Sequence, residues 1–283
     1  MNKLNDSPAT GNRNTVSIGD NRSVCRLGFG IRHLLGSTTA DQFKQSGEVV
    51  ALLKKALELG INFIEASDPY DEQLIFEALY PYPQNLVIGV KSGYPHMPPH
   101  YSPQNLREAV EKSLERLHLE QLDFYQYYHR DEHLPIEIAM KALAELQKDG
   151  KIRHIGLSNV SPDQLAHARK VIPVVAVENH YNLSDRSSDA LIGICEQDNL
   201  TFVTCCPLGH GDLALKGEEL EDIARSKGAT RSQVALAWLL KRSDRILAVP
   251  NTWSVAHLEE NLAALQLQLS EEEFEQLAFN YLD

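Results

Sequence analysis

The sequence predicts an α/β chain of strand–helix units closed into a single barrel, and three observations carry that expectation. Apolar runs rich in β-branched residues alternate with amphipathic stretches whose apolar residues recur every three or four positions. There are eight such runs in 283 residues, the scale of one (β/α)8 TIM barrel. No G-x-G-x-x-G follows the first run, so an open dinucleotide-binding sheet lacks its phosphate-binding turn.

Residues 1–14 are rich in Asn, Ser and Thr and read as a disordered tail; 15–283 read as one domain with no linker-like segment. Thr15–Ile18 and Val24–Leu27 flank Gly19-Asp20-Asn21, which is turn chemistry, so they predict a hairpin ahead of the barrel. The eight barrel runs are Arg26–Gly30, Asn62–Ala66, Leu86–Lys91, Leu122–Tyr128, His154–Ser158, Val174–Glu178, Thr201–Cys205 and Ile246–Pro250. Between them, Leu106, Val110, Leu114 and Leu117 share one helix face, as do Ile138, Ala142 and Leu146. Ser161-Pro162 and Ser270-Glu271-Glu272-Glu273 read as helix starts, a capping hydroxyl followed by proline or by acids in the first turn.

Composition narrows the function. Hydrophobic residues make up 43% and charged residues 23%, enough apolar material for a sizeable core. The formal net charge of −12 argues against nucleic acid or an anionic membrane as partner. No run of 18 uncharged apolar residues offers a membrane span, and the polar N-terminus lacks the apolar stretch of a signal peptide, so a cytoplasmic location is expected. Cys25, Cys195, Cys205 and Cys206 have no zinc-like spacing. His96 and His100 stand in a proline-rich loop that cannot form the helix a His-x3-His metal pair needs, so no metal is expected. Nothing in the sequence fixes an oligomeric state.

In a barrel of this kind the chemistry lies where strands run out into loops, at the C-terminal face. The polar residues closing the runs are Glu65 and Tyr70, Lys91, Tyr128 and His129, Ser158 and Asn159, Glu178 and Asn179, Cys205 and Cys206, and Asn251. A phenol beside an ammonium is a proton donor whose pKa can be tuned, which points to carbonyl reduction. Asp68 and Asp71 flank Tyr70 and either make the mouth acidic or belong to a solvated loop. Tyr125, Tyr127 and Tyr128 read first as barrel wall.

These residues resemble the aldo-keto reductases along nearly the whole chain. The matching stretches are GINFIEASDPYD (60–71), VIGVKSG (87–93), LERLHLEQLDFYQYYHR (114–130), GKIRHIGLSNVS (150–161), ENHYN (178–182), PLGHGDL (207–213), ATRSQVALAWLL (229–240) and VPNTWSVAHLEENL (249–262). EALYPYPQNLVIGVKSG (77–93) and the short C-terminus look most like the small bacterial pyridoxal-reductase-like branch. The resemblance implies a (β/α)8 oxidoreductase that uses NADPH, with NADH left open, to reduce a small aldehyde or ketone, pyridoxal among the candidates. It implies a catalytic set in which Tyr70 donates the proton and Lys91 and Glu65 tune it, Glu65 standing for the family's aspartate. The family's histidine is displaced: its position holds Tyr128, with His129 one further. Either Tyr128 takes that place, or a bulge returns His129 to the pocket.

For the cofactor, the resemblance implies contacts from Ser158, Asn159, Glu178 and Cys205 at the nicotinamide. It implies further contacts from Pro207, Leu208, Gly209, Gly211 and Leu213 in the following loop, and from Asn251, Trp253, His257, Glu260 and Asn261 toward the adenosine. Glu178 replaces a usual glutamine, Cys205 a stacking aromatic, Asn251 a glycine and Trp253 a small residue. Residues 249–262 contain no Lys or Arg to meet a 2′-phosphate, which predicts a weakened preference for NADPH. These departures leave a second reading, a divergent aldo-keto-reductase-like protein with non-redox proton transfer, as a lyase or cyclase, or a binding role.

Overall fold

The computed structural model describes residues 14–20, 22–31, 39–92, 102–129, 135–209, 211 and 217–281, with the side chains of 39–46 and 280 left aside. The predicted tail up to residue 13 and the loop carrying His96 and His100 lie outside these residues, as do His210 and Leu213.

Two short strands, β1 (Thr15–Ser17) and β2 (Ser23–Cys25), pair antiparallel as the expected hairpin. The barrel strands follow: β3 (Phe29–Gly30), β4 (Phe63–Ala66), β5 (Val87–Ser92), β6 (Leu122–Tyr128), β7 (Ile152–Ser158), β8 (Ala176–His180), β9 (Thr201–Cys205) and β10 (Ile246–Ala248). All are parallel and adjacent in chain order. The sheet closes where Leu27 bridges Ala248, with Gly28 N–H donating to the Ala248 carbonyl and Ala248 N–H to that of Arg26, both at 2.9 Å. Each of the eight predicted runs contains or overlaps one of these strands.

The connections are α1 (Thr39–Glu58), α2 (Pro69–Leu79), α3 (Pro103–Leu117), α4 (Ile136–Lys148), α5 (Pro162–Arg169) and α6 (Asp189–Asp198). Helices α7 (Glu218–Lys227) and α8 (Arg231–Arg242) both lie between β9 and β10, and α9 (Val255–Ala263) and α10 (Glu271–Asn280) end the chain. Their starts follow capping chemistry. Ser161 with Gln164, Thr230 with Gln233 and Ser270 with Glu273 form reciprocal capping boxes that satisfy orphan N–H groups at each terminus. Among the described residues no helix is long and apolar enough to cross a membrane.

Strand alternation divides the apolar residues between two cores. Outward residues such as Ile64, Val90, Tyr125, Tyr127, Leu157 and Val177 pack under the helices. Inward residues Phe63, Val87, Phe124, Ala176, Val203 and Leu247 fill the lower lumen, where Val16, Ile18 and Val24 of the hairpin region join them. The hairpin therefore plugs the N-terminal end of the barrel. Gly89 leaves room for the Phe63 ring, because a Cβ there would meet it at 2.8 Å. At the lower end the inward polar positions are few: Thr201 donates to the Ser17 carbonyl at 2.6 Å, and the His154 ring lies against Gly19 of the hairpin turn.

A buried guanidinium locks the closure. Arg26, 3% exposed, donates to the carbonyls of Leu240, Ser243 and Ile246 and reaches Asp244 at 3.5 Å. Arg26→Met strands these buried acceptors, and we expect it to cost on the order of 2–4 kcal/mol in urea denaturation. A loss below about 0.5 kcal/mol, the size expected of an ordinary surface change, would remove Arg26 from this role.

Candidate active site

The upper lumen is built from inward positions at the C-terminal strand ends. Lys91 of β5 lies 3.3 Å from Glu65 Oε2 of β4 and 2.5 Å from Glu178 Oε1 of β8. All three are buried, Lys91 at 4%, Glu65 at 5% and Glu178 at 1% exposure. Gln126 of β6 donates from Nε2 to Glu65 Oε1 at 2.7 Å, so Glu65 is oriented on both oxygens. Gln126 went unsingled in the sequence, although it stands two positions from both Phe124 and Tyr128 and so shares their face.

Electrostatics separate the two carboxylates' partner from ordinary lysines. Burial works to lower the Lys91 ammonium, but Glu178 and Glu65 overcome it and hold the pKa well above the usual lysine range. Burial and repulsion from Glu65 push the Glu178 carboxyl up to about 7, against the pull of Lys91. Cys205 adjoins the cluster; its contact with Cys206, burial and the Glu178 charge raise its thiol, which stays neutral. Glu178 Oε2 is buried and has no hydrogen-bond partner among the described residues.

Tyr70 stands in the first turn of α2, straight after β4. Asp68 caps that helix, accepting from the N–H groups of Tyr70 and Asp71 at 2.8 and 2.9 Å. The phenol is pushed up by burial and by Glu77 and Asp68. The Lys91 charge is matched by Glu65 and Glu178. Asp68 is an exposed cap, whereas Asp71 is 3% exposed and accepts from Ser67 N–H at 2.8 Å. Burial and Asp68 push the Asp71 carboxyl up to about 8.

The register across β6 and β7 bears on the displaced histidine. Tyr127 pairs with Leu157 and Tyr128 with Ser158, and His129 N–H continues the ladder to the Ser158 carbonyl at 2.8 Å. No bulge intervenes. Tyr128 keeps the inward parity of Phe124 and Gln126. The His129 ring lies 6.0 Å from that of Tyr127, a member of the helix-side core, and is 1% exposed.

The remaining residues named from the sequence lie at the ends of β7 and β9, after β10 and in α9. Ser158 is buried, and Asn159, in left-handed backbone (φ 60°), donates from Nδ2 to the His129 carbonyl at 2.8 Å. Pro207 is buried, Leu208 and Gly209 are half-buried and Gly211 is exposed, in a tight turn where Gly209 N–H meets the Cys206 carbonyl. Asn251 lies against Gly30, where a Cβ would meet its Oδ1 at 2.4 Å. Trp253 is 45% exposed, His257 is exposed near the start of α9, and Asn261 is buried in the same helix. Glu260 accepts from the Thr230 hydroxyl at 2.5 Å and is tied to the start of α8. The Glu178 oxygen with no partner fits one ligand group well, an amide NH2 such as a nicotinamide carboxamide offers.

Comparison with known proteins agrees with this architecture. The profile of the Aldo/keto reductase family matches residues 26–279. Pyridoxine 4-dehydrogenase of Escherichia coli (strain K12) is 43% identical over 274 residues, 92% of this chain and 95% of that protein. An uncharacterized oxidoreductase of Schizosaccharomyces pombe is 38% identical, over 93% of this chain and 88% of its own. Among solved structures, a Klebsiella pneumoniae aldo/keto reductase in complex with NADP and acetate superimposes with a TM-score of 0.83 at 27% identity, covering 95% of both chains. A thermostable aldo-keto reductase bound to the inhibitor epalrestat gives 0.84 at 31% identity, over 93% of this chain and 98% of that one. The chain is a member of the aldo/keto reductase family, an oxidoreductase on a (β/α)8 barrel.

Proposed function

We propose that this protein is an NADPH-dependent reductase of a small aldehyde or ketone, with pyridoxal a leading candidate, and that it can run in reverse on the alcohol. The observation that carries the reading is the buried ammonium of Lys91, fixed at the lumen mouth by Glu65 at 3.3 Å and Glu178 at 2.5 Å. The identity with a pyridoxine dehydrogenase supports the substrate class, and the NADP complex of a structural relative supports the cofactor.

When bound, the nicotinamide supplies the hydride. Tyr70 gives its phenolic proton to the carbonyl oxygen; its raised pKa keeps that proton in place at neutral pH. Lys91 stays charged throughout and stabilises negative charge that develops on the oxygens beside it. Glu65, aligned by Gln126, holds Lys91 in position. Tyr128, with inward parity at the end of β6, stands where the family's histidine would lie. We assign the nicotinamide end to Ser158, Asn159, Glu178 and Cys205, and the remainder to the 207–213 loop, Asn251, Trp253, His257, Glu260 and Asn261.

Titrating NADPH and NADH against the protein while following fluorescence tests this reading against the non-redox alternative. We expect both to bind, with NADPH favoured by less than about tenfold because 249–262 offer no base for the 2′-phosphate. Absence of binding by either would leave the non-redox reading. A preference near a thousandfold would show that a base from elsewhere reaches the phosphate.

A further inference from the structure

We propose that Glu178 selects the oxidation state of the cofactor: its ionised carboxylate favours the positively charged NADP+ ring, and its protonated form removes that preference. This rests on the cofactor placement given above. The geometry comes first. Glu178 projects from β8 into the upper lumen at 1% exposure, with one oxygen on Lys91 at 2.5 Å. Its other oxygen is buried with no hydrogen-bond partner among the described residues, and the neighbouring group on that side is the Glu65 carboxyl, whose charge and contact with Glu178 raise its pKa. That oxygen is the acceptor available to a carboxamide, so its charge falls beside the nicotinamide.

The charges facing Glu178 from each neighbouring strand fix the sign. Lys91 from β5 is held charged and Cys205 from β9 is held neutral. Glu65 from β4 matches the Lys91 charge at 3.3 Å. With Glu178 protonated, the Lys91–Glu65 pair is neutral overall; with Glu178 ionised, the cluster carries a net negative charge. Both forms offer the carboxamide, but NADPH presents a neutral ring and NADP+ a cationic one, so the second gains more from ionisation. A glutamine at this position, as the resemblance leads one to expect, has no ionised form and offers no such choice. Because the Glu178 carboxyl is pushed up to about 7, the choice falls within the physiological range. Linkage gives the reverse statement: near neutral pH, NADP+ binding releases more proton from Glu178 than NADPH binding does.

The test measures dissociation constants of NADP+ and NADPH for the wild type and Glu178→Gln between about pH 6 and about pH 8.5, spanning the Glu178 titration. The 2′-phosphate titrates near pH ~6 in both forms and cancels in the ratio. For the wild type we expect the ratio to shift toward NADP+ on the order of tenfold as pH rises, and to stay flat in Glu178→Gln. Calorimetry of the wild type in buffers of different ionisation enthalpy reads proton release directly and needs no variant. Tight binding of both forms with a flat wild-type ratio, or an equal slope in Glu178→Gln, overturns the inference alone. Failure of both forms to bind overturns the functional reading and the inference with it.

Discussion

Tyr70→Phe is expected to lower kcat by roughly 10²–10⁴-fold while leaving NADPH affinity within about twofold of wild type. Phenylalanine keeps the ring in the first turn of α2 and removes only the hydroxyl, so folding and the Asp68 cap, which uses the backbone N–H of residue 70, are preserved. The pH profile should also change. With burial, Glu77 and Asp68 raising the phenol, the wild-type reduction rate holds through neutrality and falls only on the alkaline side, where Tyr70 loses its proton. In Tyr70→Phe that alkaline limb disappears. Turnover within a few-fold of wild type would reject Tyr70 as the acid and move attention to Tyr128, the other phenol with inward parity.

Lys91→Met has the second large effect, and it acts on stability as well as rate. Removing the ammonium leaves Glu65 and Glu178 facing each other in a buried site, with Gln126 as the remaining donor among the described residues. Breaking a buried ion pair by deleting one partner costs about 3–5 kcal/mol. Without Lys91 the Glu178 carboxyl, already raised by burial and by Glu65, loses the charge that opposes that rise, so the deficit is small near pH ~4 and grows as pH rises through neutrality. Adding Glu178→Gln to Lys91→Met removes one of the stranded charges, and the double variant should recover part of the loss in urea denaturation. Strict additivity of the two changes would mean that Lys91 and Glu178 do not interact energetically, contrary to their 2.5 Å contact.

The sequence carried the architecture because strands and caps are local. Runs such as Leu122–Tyr128 (LDFYQYY) and Thr201–Cys205 announce themselves by composition, and Ser161 and Ser270 by the proline or acids that follow them. The contact between Glu65 and Lys91 was also within reach, since both close neighbouring parallel strands. The approach of Glu178 to Lys91 was not. It spans the lumen from β8 to β5, and no short-range spacing encodes which inward side chains meet across a barrel. Gln126 escaped for a different reason: as a lone amide in an aromatic run it carries no motif, and only its parity marks it as inward. The choice between Tyr128 and His129 turned on whether a bulge interrupts β6, which the ladder to β7 answers and composition cannot. The sequence reading placed one carboxylate, Glu65, beside Lys91, whereas the structure places two.

Steady-state turnover with NADPH and a small panel of aldehydes that includes pyridoxal, with products identified by mass spectrometry, tests the central claim most directly. The account predicts one equivalent of NADPH consumed per alcohol formed. It also predicts that activity is lost in Tyr70→Phe and Lys91→Met. Conversion of a carbonyl substrate to an isomer or elimination product without NADPH consumption would contradict it.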